Sequence, residues 1–234
     1  MKDNKEKYPK SIGIIMDGNR RWAREQNLSI TKGHESGYKK IKEVLHWAKE
    51  AGISTLYIYA FSTENWNRSK EEVACLMKIF LQGFVHDAKE LIKERFRIKF
   101  IGQIERFSPA IRLAIKKLEK ATAGFSGGDL AICLSYGGRA EIIEAIKKIT
   151  SEKTGEEIAA LTEDEFSKYL WTANLPSPEL VIRTSGEVRT SNFLSWQAAY
   201  SEWFFSKTYW PAFSKKEFEE ILKDFSQREI RRGQ

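Results

Sequence analysis

Residues 17–21 read Asp-Gly-Asn-Arg-Arg: an acid, a permissive turn residue, an amide and two guanidiniums in five positions. A carboxylate can hold a divalent cation and arginine forks match phosphate oxygens, so the set has the chemistry of a diphosphate and metal site. The same chemistry recurs twice. Ser62-Thr-Glu-Asn-Trp-Asn-Arg68 offers hydroxyls, a carboxylate, an amide, an indole and a guanidinium, and Arg183-Thr-Ser-Gly-Glu-Val-Arg-Thr-Ser-Asn192 spaces two arginines six residues apart among hydroxyls. Asp-Gly-Asn is equally ordinary turn chemistry, and a lone arginine is usually a solvated charge. Four or five arginines converging on one place are harder to explain that way.

Convergence depends on the elements that carry the clusters. Each follows an apolar, β-branched run that reads as a buried strand: 12–16 before Asp17, 55–61 before Ser62 and 180–183 before Thr184. Further runs at 98–101, 130–135 and 203–205 bring the expected strands to about six. Helical periodicity fills the gaps at 20–25, 34–51, 109–121, 140–149 and 215–225, and the hydroxyls near Ser191 read as the cap of another helix. Alternation of this kind predicts an α/β fold, a single mostly parallel central sheet with helices on both faces. Ligands of such sheets bind beyond the carboxyl ends of the strands, where the three clusters fall.

Residues 71–95 form the longest helical pattern, with an unusually broad apolar face that includes Leu76, Phe80, Phe84 and Leu91. It reads either as a core helix or as the wall of a greasy cavity, with Tyr57 and Tyr59 as further candidates for that wall.

The chain has 234 residues, a size that suits one domain over 1–234 with flexible ends at 1–8 and about 228–234. Its net charge of +7 favours anionic partners: nucleic acid, an anionic membrane or phosphorylated small molecules. Most of the seven tryptophans lie in apolar segments, which favours packing over base stacking. The start lacks a signal peptide's apolar core, no run approaches the ~18 residues of a membrane span, and Cys75 and Cys133 stand apart. A cytoplasmic protein with reduced thiols is expected. No nucleoside-triphosphate P-loop is present.

The segments 16–23, Gly33-His34, 59–68, Tyr136-Gly-Gly-Arg139, 182–187, 189–193 and 196–202 together resemble the cis-prenyltransferase family, whose best-known members are undecaprenyl diphosphate synthases. The resemblance covers nearly the whole chain. It implies elongation of an allylic diphosphate, usually farnesyl diphosphate, by isopentenyl diphosphate with cis double bonds, together with Mg²⁺ and a homodimer. Asp17 then holds the metal, with Glu202 as a second carboxylate. Gly18, Asn19, Arg20, Arg21, Trp22, His34 and Arg68 fall to the allylic diphosphate, and Arg183, Arg189, Thr190 and Ser191 to isopentenyl diphosphate. Asn65 matches the residue that guides the departing proton, with Ser62, Thr63, Glu64 and Trp66 around it. A neutral amide is a poor base, so diphosphate or water is an alternative acceptor. The expected product is a carrier-lipid precursor for cell-wall glycans, released with peripheral contact at the inner membrane face, and no nucleic acid is involved.

Some residues depart from the family pattern. Ser11 stands where a histidine is frequent, Arg20 and Ser185 where glycines are frequent, Ile30 where a basic residue usually assists the diphosphate, and Val188 where some members carry histidine. Lys32 or Arg20 is placed to compensate for Ile30. Tyr38 is bulkier than the small residue of many bacterial synthases, which either narrows the cavity or simply packs on its helix. Arg231-Arg-Gly233 resembles an ending that reaches a dimer partner's site. Three rivals remain: a short-chain synthase, a catalytically silent partner subunit and a basic nucleic-acid-binding protein.

Overall fold

A computed structural model describes residues 7–86 and 88–228. The expectations for residues 1–6 and for the Arg231–Gly233 tail lie outside that range, whereas Tyr8, expected in a flexible end, packs in the core and Arg228 pairs with Glu202 and Asp224. Six strands, β1 (Ser11–Ile15), β2 (Thr55–Ser62), β3 (Arg97–Ile101), β4 (Asp129–Tyr136), β5 (Leu180–Arg183) and β6 (Glu202–Phe205), form one sheet in the order β3-β4-β2-β1-β5-β6. Every pairing is parallel, so the expected mostly parallel sheet is wholly parallel. β1 is fully buried along its length, consistent with an unbroken apolar run in place of alternation.

The helices are α1 (Asn19–Glu25), α2 (Ile30–Glu50), α3 (Lys70–Val85), α4 (Ala88–Leu91), α5 (Pro109–Thr122), α6 (Gly138–Glu152), α7 (Gly155–Ala159), α8 (Glu163–Ser167) and α9 (Lys215–Gln227). Serines start several of them: Ser29, Ser69, Ser108 and Ser214 each accept a hydrogen bond from a first-turn N–H. One face of the sheet packs Ile12, Ile14, Leu56 and Ile58 against apolar side chains of α2, α3, α5 and α9. On the opposite face Tyr57, Ala131, Cys133 and Val181 are covered largely by Trp171, Leu175 and the turn-rich stretch around Phe193, Leu194 and Ala198. None of the helices among the described residues is long and apolar enough to cross a membrane.

Two expected helices differ. The pattern at 71–95 is not one helix: α3 ends at Val85, α4 is four residues long, and Arg95 has φ 60°. Phe80, Phe84 and Leu91 go into the core, while Leu76 near the start of α3 also faces the cavity described below. No helix begins near Ser191, because Ser191, Asn192 and Leu194 all take positive φ, which a right-handed helix excludes. Tyr57 is not a cavity wall either. It is fully buried on the face away from α3, with its hydroxyl donating to the Pro176 carbonyl.

Candidate active site

Register places the clusters at one edge. Ile15 aligns with both Tyr59 and Arg183, and Ser62 with Tyr136, so the segments after β1, β2, β4 and β5 leave the sheet together. From β1 the chain moves one way to β2; β5 lies on its other side and continues to β6. The switch point is therefore the crevice between β1 and β5, where an open parallel sheet leaves space for a ligand. Asp17 and Arg183 face each other across it, with an Arg183 NH2 to Asp17 Oδ2 distance of 2.8 Å.

The Asp17 turn is tightly built. Gly18 has φ 102°, and a Cβ there would meet Tyr209 at 2.7 Å and Ser185 at 2.8 Å. Its N–H donates to Asp17 Oδ1. The Thr184 hydroxyl and the Trp210 N–H both donate to the Asp17 carbonyl. Burial pushes the Asp17 carboxyl up, but the hydrogen bond and charge of Arg183, helped by Arg21 and the Gly18 N–H, override it and leave the group below its ordinary value. It is an anion at neutral pH.

Around it lies a cavity of about 710 Å³. Of the expected site residues, Asp17, Gly18, Asn19, Arg20, Arg21, His34, Ser62, Glu64, Asn65, Arg68, Arg183, Arg189 and Ser191 line it, and six arginines face only two carboxylates. Ile15, Met16, Ala60 and Leu76 supply an apolar inner wall. An ionic rim beside apolar surface suits a ligand with a charged head and a greasy body.

Five of the six arginines, Arg20, Arg21, Arg68, Arg183 and Arg189, have an internal anchor. Arg183 is 3% exposed and donates also to Ser191 Oγ at 2.6 Å and the Arg189 carbonyl at 2.6 Å, while its buried Nε finds no acceptor among the described residues. Glu187 bridges Arg21 and Arg189. Glu72, nearly buried on α3, lies 2.9 Å from Arg68, 3.2 Å from His34 and 3.4 Å from Arg20. Burial depresses His34 and Glu72 opposes it; with the Arg68 charge added, the imidazole stays below its ordinary value and is neutral near pH 7.

Of the other expected site residues, Trp22, Thr63, Trp66 and Thr190 lie outside the lining, while Asn19 and Asn65 line it with internal partners of their own. Thr63 bonds Glu64 beside the cavity. Trp66 packs on Phe61 and Phe107 and donates to Ser135 Oγ. Asn19 turns its amide inward, donating to the Met16 carbonyl, because α1 crosses α2 at Gly33 and Gly37 where a Cβ would strike Asn19. Asn65 Oδ1 accepts the Ser62 N–H and so caps its own turn.

Within one chain the two expected metal carboxylates, Asp17 and Glu202, are not brought together. Glu202 starts β6, three register positions before the Arg183 level, and pairs with Arg228 at the opposite edge of the sheet from Asp17. Among the described residues no three His, Cys, Asp or Glu side chains gather as a metal cage. Conversely, Arg24, Glu72 and Ser185 went unnoticed in the sequence as site residues. Arg24 shares a helix face with Arg20 and Arg21 through the i, i+3 and i+4 spacing, a signal that was available.

A parallel sheet whose switch point holds an anchored carboxylate, a ring of arginines and an apolar wall fits the class of enzymes that grip a diphosphate carrying an apolar tail. The family described as putative undecaprenyl diphosphate synthase matches residues 15–233. An isoprenyl transferase of Thermus thermophilus is 45% identical, the alignment covering 96% of this chain and 89% of that protein. A tritrans,polycis-undecaprenyl-diphosphate synthase (geranylgeranyl-diphosphate specific) of Pyrococcus horikoshii is 44% identical over 96% of this chain and 87% of its own length. Among solved structures, lavandulyl diphosphate synthase from Lavandula x intermedia, in complex with dimethylallyl diphosphate, superposes with a TM-score of 0.93 at 33% identity, over 98% of this chain and 100% of that one. The chain belongs to the cis-prenyltransferase family and is a prenyl-transferring enzyme.

Proposed function

We propose that the chain condenses isopentenyl diphosphate onto an allylic diphosphate, farnesyl diphosphate in the first instance, to give a cis-polyprenyl diphosphate such as undecaprenyl diphosphate. The observation that carries this reading is the ionised Asp17 held between Arg183 and Arg21 at the mouth of a cavity walled by Ile15, Met16 and Leu76. Breaking the allylic carbon–oxygen bond puts negative charge on the leaving diphosphate, where Arg20, Arg21 and Arg68 stand. The new carbon–carbon bond forms to isopentenyl diphosphate, held from the side of Arg189 and Ser191, and a proton then leaves the isopentenyl unit. Asn65, with its Oδ1 already accepting the Ser62 N–H, orients this step, and a diphosphate oxygen or water takes the proton.

Magnesium belongs to the same reading. Mg²⁺ keeps several waters and needs only one or two carboxylates besides substrate phosphates, and Asp17, whose oxygens have lone-pair capacity beyond their present donors, fits that role without Glu202. When bound, the ion supplies positive charge to the departing diphosphate. A homodimer is also part of the proposal, supported by β6 forming an edge of the sheet among the described residues, where Trp203 and Phe205 stack at 5.8 Å in partial exposure.

The test is product chromatography after the purified chain is given radiolabelled isopentenyl diphosphate and farnesyl diphosphate, with and without Mg²⁺. Labelled lipid that requires the ion is expected; no label in any fraction would sink the reaction.

One observation favours a second reading, a short-chain product. The Tyr38 ring on α2 fills the space beside Gly83 on α3, where a Cβ would lie 2.9 Å from it, and the cavity lining stops at Leu76 before reaching that contact. A dominant product with one added unit, lengthened in Tyr38→Ala, selects this reading; long product from the unaltered chain removes it.

A further inference from the structure

Ser185 occupies a backbone conformation that disfavours any residue with a Cβ. Its φ is 79°, and Gly186 beside it has φ 75°. Such a residue persists only where its surroundings determine it. Here the Ser185 N–H donates to the Thr208 carbonyl at 2.8 Å and the Gly186 N–H to the Ser206 carbonyl at 2.7 Å, tying the turn to the segment after β6. A glycine would satisfy both bonds without strain. What the serine adds is a hydroxyl, and that hydroxyl, 6% exposed as a residue, accepts from Arg21 NH2 at 2.5 Å.

The Arg21 guanidinium is oriented on several sides. Ser185 Oγ takes one nitrogen; Glu187 takes the other at 2.8 Å, with the Ser185 carbonyl at 3.4 Å. The Tyr209 ring lies 5.7 Å from its centre. The side chain nevertheless stays 38% exposed, so it can still receive a phosphate oxygen. The arrangement has a counterpart: Ser191, also left-handed at φ 49°, accepts from Arg183 through its hydroxyl. Two strained serines each hold one arginine.

We infer that Ser185 is a positioning residue for diphosphate capture, its hydroxyl fixing the Arg21 fork toward the cavity at the expense of an unrelaxed backbone. The inference rests on the reading of the cavity as a diphosphate site. A fork already oriented loses less freedom when phosphate arrives, so the hydroxyl acts on affinity and not on the bond-making step.

The experiment uses the full chain with Ser185→Gly and Ser185→Ala, reading inorganic pyrophosphate binding by calorimetry, thermal midpoints and steady-state constants. Both variants are expected to bind pyrophosphate about five- to tenfold more weakly, the net scale of one ordinary hydrogen bond. KM for the allylic diphosphate rises in parallel while kcat stays within about twofold. Strain separates the two variants: Ser185→Gly melts about 2 °C above Ser185→Ala. Unchanged pyrophosphate affinity in both variants overturns the inference, as does a Ser185→Gly midpoint no higher than that of Ser185→Ala. Pyrophosphate binding is read without turnover, so a chain that binds it but transfers no prenyl group overturns the proposed reaction alone. A chain that does not bind it overturns both.

Discussion

Two polar clusters sit at the carboxyl edge of the sheet, and they are built on opposite principles. Around Asp17, carboxylates are shared among more arginines than they neutralise, and the surplus faces a cavity. Around Glu141 on α6, one carboxylate is enclosed and served by neutral donors only: the Tyr136 hydroxyl at 2.5 Å, the Gln197 amide at 2.9 Å and the Thr172 N–H at 3.2 Å. Burial raises the Glu141 carboxyl above its ordinary value and those bonds only partly offset it, whereas Arg183 pulls Asp17 the other way. A cluster that meets its one carboxylate with neutral donors holds the fold; one that leaves charge unbalanced awaits a ligand. Carboxylates alone do not distinguish the two cases. Their partners do.

The contrast can be broken most severely at Asp17. Asp17→Ala is expected to lower kcat by about 10²–10³, since charge stabilisation through the carboxylate proposed to hold Mg²⁺ would contribute several kcal/mol. Steady-state prenyl transfer on a variant shown by circular dichroism to be folded checks it; a kcat within twofold removes Asp17 from the chemistry. Glu141→Ala is the reciprocal experiment. It strands the Tyr136, Gln197 and Thr172 donors, so stability falls by about 3 kcal/mol and the midpoint by roughly 6–12 °C, with pyrophosphate affinity kept. Weak pyrophosphate binding by the folded fraction would show that the two clusters are one.

The pH dependences have opposite signs. Asp17 is depressed in the folded chain, so its stabilisation is present above the unfolded carboxylate pKa and is lost as pH falls through the folded value. Glu141 is raised, so its contribution is full below the unfolded pKa and disappears as pH climbs through the folded one. Thermal melts across acid to neutral pH should therefore show Asp17→Asn converging on the unaltered chain in acid. Glu141→Gln should gain on it toward neutrality. Parallel curves for the two variants would dissolve the distinction. The smallest expected effect is that of salt: pyrophosphate binding weakens a few-fold on going from low to physiological ionic strength, while the Glu141 contribution to the melt barely moves.

The strands and the three polar turns were legible in the sequence because a parallel sheet buried on both faces demands unbroken apolar runs, and because such sheets put their chemistry just after those runs. Glu72 was not legible. It looks like one more charge at the start of α3, and its meaning comes from His34 and Arg20, which only tertiary packing brings to it. The missing helix after Ser191 has a similar origin: local hydroxyls suggested a cap, yet the Arg183 side chain takes the Ser191 oxygen and the backbone turns left-handed. The company Trp66 keeps in the chain suggests a ligand contact, yet its indole packs on Phe61 and Phe107 and donates to Ser135 Oγ, partners that only tertiary packing supplies.

Trp210 gives the molecule an order of assembly. Its N–H caps the Asp17 carbonyl and its indole donates to the Gly37 carbonyl, 173 residues earlier in the chain. During synthesis the first polar turn therefore emerges long before the residue that braces it, and β5, which supplies Arg183, is also made late. Contacts so distant in sequence close slowly. The Asp17 corner cannot be completed before β5 and Trp210 have been made, so a chain that stops short of them carries the Asp17 motif without its brace or its Arg183 partner.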